Sequence, residues 1–231
     1  MRAPLKIQAE PYPFTCQPEQ TALVIIDMQQ DFLAPGGFGE RLGNDLSIIR
    51  QCVEPTQQLL TVFRRESWPI LFTREGHRPD LSDCPESKQM RMRRQGAAIG
   101  DSGPMGRLLV RGEDGHAIIP ELAPEPGEPI IDKPGKGAFF ATDLDLILKN
   151  LGIKWLIVTG VTTHVCVSST VREASDRGYN ALVVRDATAA FDPNDRDQTL
   201  WQIQQQGAIF GWVTQTAEIL TAIEERSGLR E

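Results

Sequence analysis

The sequence predicts a three-layer α/β/α protein, with a six-stranded, mostly parallel sheet and helices on both faces. Three observations predict it. Short apolar runs recur along the chain, helix-length segments lie between them, and glycine, proline and aspartate mark the boundaries. Runs without polar alternation are what a parallel sheet covered on both sides requires.

Residues 1–20, with Pro11, Pro13 and Pro18, read as an N-terminal arm lying over the surface or over a neighbouring subunit; residues 21–231 read as one domain. The first strand is Ala22-Leu-Val-Ile-Ile-Asp27. A helical stretch follows from about Leu46 to Arg65, started or kinked at Pro55, with Leu59, Leu60 and Phe63 spaced to face the sheet. The second strand, Pro69-Ile-Leu-Phe-Thr73, opens into a long polar stretch from Arg74 to about Pro126, and so long a segment without periodicity covers a site or an interface. The β/α rhythm then returns: a strand to Asp132, a helix from Thr142, a strand to Gly160, and a helix from about His164 to Arg177 closed by Gly178. A strand to Asp186 comes next, then a helix with Asp192 as N-cap and Pro193 at its first position. Strand Ala208-Ile-Phe-Gly-Trp212 and a helix from about Thr214 end the series.

The 231 residues carry 40% hydrophobic and 24% charged side chains and a net charge of -7, a balance that does not suggest nucleic acid as a partner. No stretch approaches the ~18 apolar residues of a membrane span or the core of a signal peptide, so the expected location is cytoplasmic. Cys16, Cys52, Cys84 and Cys166 are widely spaced and read as free thiols.

Four of the runs end in a chemically able residue: Asp27, Asp132 with Lys133, the turn leading to Cys166, and Asp186. Parallel neighbours would gather an acid, an amine and a thiol at the carboxyl edge of one sheet, where open α/β sheets bind ligands. Singly, each has a plainer reading. Asp27 suits a strand-end turn as well as a site, Lys133 suits solvent, and Cys166 suits a buried small side chain. In Gly160-Val-Thr-Thr-His-Val-Cys-Val167 the thiol lies near a helix start, where amides and the helix dipole favour thiolate and can hold an oxyanion. Lys133 would lower the thiol pKa further, and Asp27 would carry its proton.

Ala22-Leu-Val-Ile-Ile-Asp-Met-Gln-Gln-Asp-Phe32, Asp132-Lys-Pro-Gly-Lys-Gly-Ala-Phe139 with Thr142-Asp-Leu, and Thr159-Gly-Val-Thr-Thr-His-Val-Cys-Val167 resemble the three signature segments of the isochorismatase-like cysteine hydrolases, a Rossmann-like family. The resemblance runs from about Thr21 to Val213. Within the family, the segments beginning at Thr73, Ile99, Ile130 and Gln206 most resemble those of biuret hydrolases, with triuret hydrolases close behind.

The resemblance implies a catalytic triad of Asp27, Lys133 and Cys166, a cis peptide at Val161-Thr162, and the amides of Thr162 and Cys166 as the oxyanion hole. It implies hydrolysis of biuret to allophanate and ammonia through a thioester, with a homo-oligomer, a tetramer, as the working form. Gln206 would bond the distal urea group, or be a surface glutamine at a helix end. Phe32 would pack against the substrate plane or serve as core, and Arg74 and Glu75 are further substrate-binding candidates. His164 stands where an aspartate is expected in biuret hydrolases and reads as a surface or interface histidine. Nicotinamidases of the superfamily hold a metal through an Asp-x-His pair and another histidine; here there is Glu75-Gly-His77 with an isolated His116, and neither metal nor cofactor is expected. Competing activities are triuret hydrolysis, ureidoacrylate amidohydrolysis and isochorismatase-type vinyl-ether cleavage; a non-catalytic binding module is the reading from another class.

Overall fold

The computed structural model describes residues 3–228. Its main sheet has six strands: β1 (Thr21–Ile26), β2 (Ile70–Glu75), β3 (Ile130–Lys133), β4 (Trp155–Val161), β5 (Asn180–Ala189) and β6 (Trp212–Thr214). They lie in the order β6-β5-β4-β1-β2-β3, and every pairing is parallel. The order reverses between β1 and β4. A crevice opens at the carboxyl end of such a reversal.

Along β1 the side chains alternate between two cores. Leu23 and Ile25 join one apolar cluster, with Leu59 and Phe63 of helix α1 (Val53–Glu66) and Ile219 of helix α6 (Thr216–Gly228). Ala22, Val24 and Ile26 join the other, with Leu144 and Leu148 of α3 (Leu144–Asn150), Val171 of α4 (Ser168–Asp176) and Leu200 of α5 (Pro193–Ala208). The period of two along a strand makes both faces apolar and buries both.

Several boundaries differ from the sequence reading. The stretch from Leu46 is broken: a turn at Leu46–Ile49 and a 3₁₀ turn at Arg50–Cys52 precede α1, which holds Pro55 in its first turn, where proline is tolerated. The last strand begins at Trp212 instead of Ala208, because Gln206, Gly207 and Ala208 all take positive φ and use those residues in a turn. Asp192 and Pro193 do start α5, and Asp192 accepts from the Asn194 amide at 2.8 Å.

The segment read as an arm folds on its own chain. Leu5–Ile7 and Phe14–Cys16 form an antiparallel hairpin, and Leu5, Ile7, Phe14 and Cys16 belong to the core beside α6. Glu10 exchanges two backbone hydrogen bonds with Val213 (2.8 and 3.0 Å), covering part of the β6 edge. The polar stretch after β2 contains α2 (Glu86–Arg94) and a small hairpin, Ser102–Gly103 with Gly106–Arg107. Asp31 accepts the Leu109 amide at 2.8 Å, and Gln29 donates to the carbonyls of Glu75 and His116, so the stretch is tied down over the carboxyl edge. Among the described residues no helix is long and apolar enough to cross a membrane.

Candidate active site

The register of the central strands decides which side chains meet. β2 and β3 pair Arg74 with Asp132 and Glu75 with Lys133, and β1 aligns Ile26 with Thr73 and with Gly160. Asp27 is therefore the first residue past β1, at φ +50°, a left-handed conformation that aspartate tolerates better than most residues. Gly160, at φ +106°, could carry no side chain, since a Cβ there would lie 2.0 Å from the Ile26 carbonyl oxygen. That contact brings β4 against β1 and delivers the following turn to Asp27.

The turn contains a cis Val161–Thr162 peptide and then a π-helical turn, Thr163–Val167, leading into α4. Cys166 thus sits in the wide turn before the regular helix. The Thr170 hydroxyl donates to the Cys166 carbonyl at 2.7 Å and accepts the Ala138 amide at 3.1 Å, which docks the loop after Lys133 onto the turn.

These placements collect Asp27, Lys133 and Cys166. Lys133 Nζ lies 2.8 Å from Asp27 Oδ2 with both side chains fully buried, and it donates to the carbonyls of Gly135 and Lys136 at 3.0 Å each. Asp27 Oδ1 accepts the Thr73 hydroxyl at 2.7 Å. A carboxylate oxygen of Asp27, one of Glu75 and Cys166 Sγ all lie within 4.8 Å of one another. Burial opposes the charge on Lys133, but Asp27, Cys166 and Glu75 outweigh it and its pKa stands above the ordinary lysine value.

Glu75 has a larger role than its sequence position suggested. Lys136 Nζ reaches both its oxygens (2.8 and 3.1 Å), Lys88 Nζ reaches Oε1 (2.7 Å) and Lys133 Nζ lies 3.9 Å from Oε2. Burial would raise its pKa; Lys136, Lys133 and Lys88 together hold it well below the ordinary carboxylate range. The Cys166 thiol donates to Glu75 Oε2 at 3.4 Å. Burial lifts the thiol pKa most; Lys133 and Lys136 pull it down, Asp27 and Glu75 push it up, and the balance lies above the ordinary cysteine value. Burial therefore opposes the thiolate that a place near a helix start favours, and a nearby base would have to take the proton.

A cavity of about 470 Å³ opens over Cys166, and Thr162, Cys166, Glu75 and Phe32 all line it. Phe38 and Phe191 extend its apolar wall, and Lys136, His164, Asp192 and Asp195 supply charged and polar groups. His164 lies 3.8 Å from Asp195 Oδ2, with about a third of its side chain exposed.

Two substrate-binding candidates lie elsewhere. Arg74 forms a two-pronged pair with Asp132 (2.7 and 3.0 Å) and is absent from the cavity wall, because alternation along β2 points it opposite to Glu75. Gln206 is exposed, in the turn where α5 loses helical geometry, and it borders a separate depression with Trp201 and Phe210. Asp186, the fourth strand-end acid, accepts the Thr216 amide (2.9 Å) and hydroxyl (3.1 Å) and so caps α6. Thr73 and Lys88 were missed. Thr73 was visible as a strand end, while Lys88 lies in an aperiodic stretch with nothing to mark it.

Among the described residues, Asp27, Glu75 and Cys166 are the one group of side chains close enough together to share a metal ion. The ammonium groups of Lys133, Lys136 and Lys88 already stand against those carboxylates, where a cation would have to stand. His77 and His116 lie off this cluster, His77 against Asp83 and Lys88, and His116 3.6 Å from Asp132.

A doubly wound sheet with a buried thiol, carboxylate and ammonium at its switch point defines a class, the cysteine hydrolases. The model of the isochorismatase domain matches residues 21–218, and the chain belongs to the isochorismatase family of hydrolases. A cysteine hydrolase from Pseudomonas syringae pv. phaseolicola 1448A is 28% identical, with 98% of this chain and 100% of that one covered and a TM-score of 0.77. An isochorismatase family protein from Desulfovibrio vulgaris subsp. vulgaris str. Hildenborough is 27% identical over 89% of this chain and 98% of its own, with a TM-score of 0.73. N-carbamoylsarcosine amidase from Thermoplasma acidophilum is also 27% identical, over 86% and 98%, with a TM-score of 0.65.

Proposed function

We propose that this protein hydrolyses a carbon-nitrogen bond of a small, neutral ureido compound, biuret before triuret, through a thioester on Cys166. The observation that carries the reading is the gathering of Asp27, Lys133 and Cys166 beneath the cavity. A second N–C(=O)–N compound enters through the likeness to N-carbamoylsarcosine amidase, whose substrate is itself an N-carbamoyl amine.

The sulfur attacks a ureido carbonyl carbon as Asp27 takes the thiol proton, and the oxyanion sits against the Thr162 and Cys166 amides. Collapse of the adduct expels the amine, which leaves as ammonia with the proton Asp27 held. Water then gives a proton to Asp27 and its oxygen attacks the thioester carbon. The acid leaves, and Asp27 returns the proton to sulfur. For biuret the products are allophanate and ammonia, with one water consumed. Lys133 keeps Asp27 in place and offsets its charge through the cycle.

A neutral substrate is favoured by the charges of the wall. Lys136 is engaged by both oxygens of Glu75, and the mouth carries Asp192 and Asp195. A carboxylate-bearing ureidoacrylate would meet acids without a free ammonium to oppose them. The working form we propose is a homo-oligomer, a tetramer, whose contacts would cover exposed apolar side chains such as Phe140 and Leu146.

Ammonia release measured separately from biuret, triuret, ureidoacrylate and N-carbamoylsarcosine tests the substrate. Turnover of biuret or triuret alone is the expected result, and inertness toward both would overturn the substrate reading. A Cys166→Ser variant that kept full activity would overturn the thioester and favour vinyl-ether chemistry.

A further inference from the structure

A continuous line of polar contacts leaves the thiol and runs away from the cavity. Cys166 Sγ donates to Glu75 Oε2 (3.4 Å), and Glu75 Oε1 accepts Lys88 Nζ (2.7 Å). Lys88 Nζ has two further partners, His77 Nε2 at 2.8 Å and the Pro134 carbonyl at 2.7 Å. An ammonium has three hydrogens and no acceptor, so all three are used and His77 Nε2 must be the accepting nitrogen. The His77 proton then sits on Nδ1 and is donated to Asp83 Oδ1 at 3.1 Å, while Asp83 Oδ2 lies 3.3 Å from Arg111. Lys88 is buried and reaches neither the sulfur nor the cavity wall.

We propose that Lys88, anchored by His77 and Asp83, is a positioning residue that fixes the Glu75 carboxylate to receive the Cys166 S–H. This inference rests on Cys166 as the nucleophile. A carboxylate free to rotate would leave the S–H undirected; one held on the far side by Lys88 presents Oε2 to the sulfur in one orientation. The proton stays on the sulfur, in its hydrogen bond to Oε2, until a substrate arrives and Asp27 takes it. The charged groups facing Cys166 are Asp27 after β1, Glu75 on β2, Lys133 on β3, Lys136 in the loop beyond and His164 in its own turn, with Asp192 and Asp195 at the start of α5 across the cavity; Lys88 on α2 acts one step removed, through Glu75.

The test is the pH dependence of Cys166 alkylation by iodoacetamide in the full chain, read by peptide mass so that the other cysteines do not interfere. Lys88→Met leaves the Glu75 carboxylate free to turn away, so the S–H loses its acceptor and the midpoint is expected to fall by about one pH unit, with alkylation below it about tenfold faster. Glu75→Gln removes the negative charge itself, and the midpoint is expected to fall by about as much. Lys88→Arg should return the profile toward wild type. Loss of the Lys88 charge alone, without its hold on Glu75, would move Lys88→Met the other way, to a higher midpoint. A Lys88→Met midpoint equal to or above wild type would overturn the proposal. If Lys88→Met does not fold, Glu75→Gln decides: an unmoved midpoint overturns it and a lowered one supports it. Failure of the nucleophile reading looks different, since Cys166→Ser would then keep its activity whatever the alkylation profiles show.

Discussion

Two ion pairs lie side by side on β2 and β3, one register step apart, and they do unlike things. Glu75, paired with Lys133 and itself fully buried, turns inward and meets Asp27, Lys136, Lys88 and the thiol. Arg74, paired with Asp132, turns to the opposite side, where both side chains keep a quarter or more of their exposure. Composition is the same, an acid and a base on each rung. Burial and the neighbouring strand set one rung beside the thiol and leave the other a partly exposed pair, so where a strand-end charge lies is settled by which face it occupies.

The sharpest way to break the comparison is to strip the inward side of Cys166 and Asp27. Cys166→Ala is expected to lose about 10⁴-fold or more in kcat, and Asp27→Asn about 10²–10⁴-fold, with unchanged thermal melting for Cys166→Ala. Ammonia release, with intact-mass trapping of a thioester in Asp27→Asn, reads both. Near-normal turnover in either variant would return the inward rung to a structural role.

A second test sets the rungs against each other. Lys133→Met leaves Asp27 and Glu75 buried beside one less ammonium and should cost about 3–5 kcal/mol of stability along with activity. Arg74→Met, at a partly exposed pair, should cost less than about 1 kcal/mol and leave kcat within about twofold. Denaturant melts that gave equal losses would erase the distinction.

The outer rung has its own pH signature. Burial, and next the charge of Arg74, push the His116 imidazole down to about 4 from 6.5. The folded protein therefore binds this proton less readily than the unfolded chain, and stability rises with pH across that window. His116 contributes fully above 6.5, and its contribution fades as pH falls toward 4. Melting temperature measured from pH 7 to 4 should drop less steeply in His116→Gln. An identical slope would show that the imidazole is not depressed.

The smallest effect is expected at Gln206. Gln206→Ala should change kcat/KM for biuret by less than about twofold, as befits a surface turn outside the cavity. A loss of tenfold or more would bring that turn into the site.

The sequence could be read well where period and motif agree. Unbroken apolar runs told a parallel sheet, and Asp27, Lys133 and Cys166 each end or follow a strand inside a recognisable segment. Reading failed where a side chain's direction had to be known. Arg74 and Glu75 are neighbours in sequence, yet alternation separates them, and an isolated strand end does not say which side the next strand will cover. Gln206 and the start of β6 were misplaced by a turn of positive-φ residues with little pattern of their own. Lys88 was invisible because its value comes from a fold that brings it beneath Glu75.

One hydroxyl joins the two halves of the chemistry. Thr170 grips the carbonyl of Cys166 and, at the same oxygen, the amide of Ala138, so the segment that bears the sulfur and the one that follows the lysine share a hinge pin. Neither can drift without dragging its counterpart. The spacing between the sulfur and the Lys133 ammonium thus leans on a side chain outside the cavity wall, and Thr170→Val would remove both of its bonds.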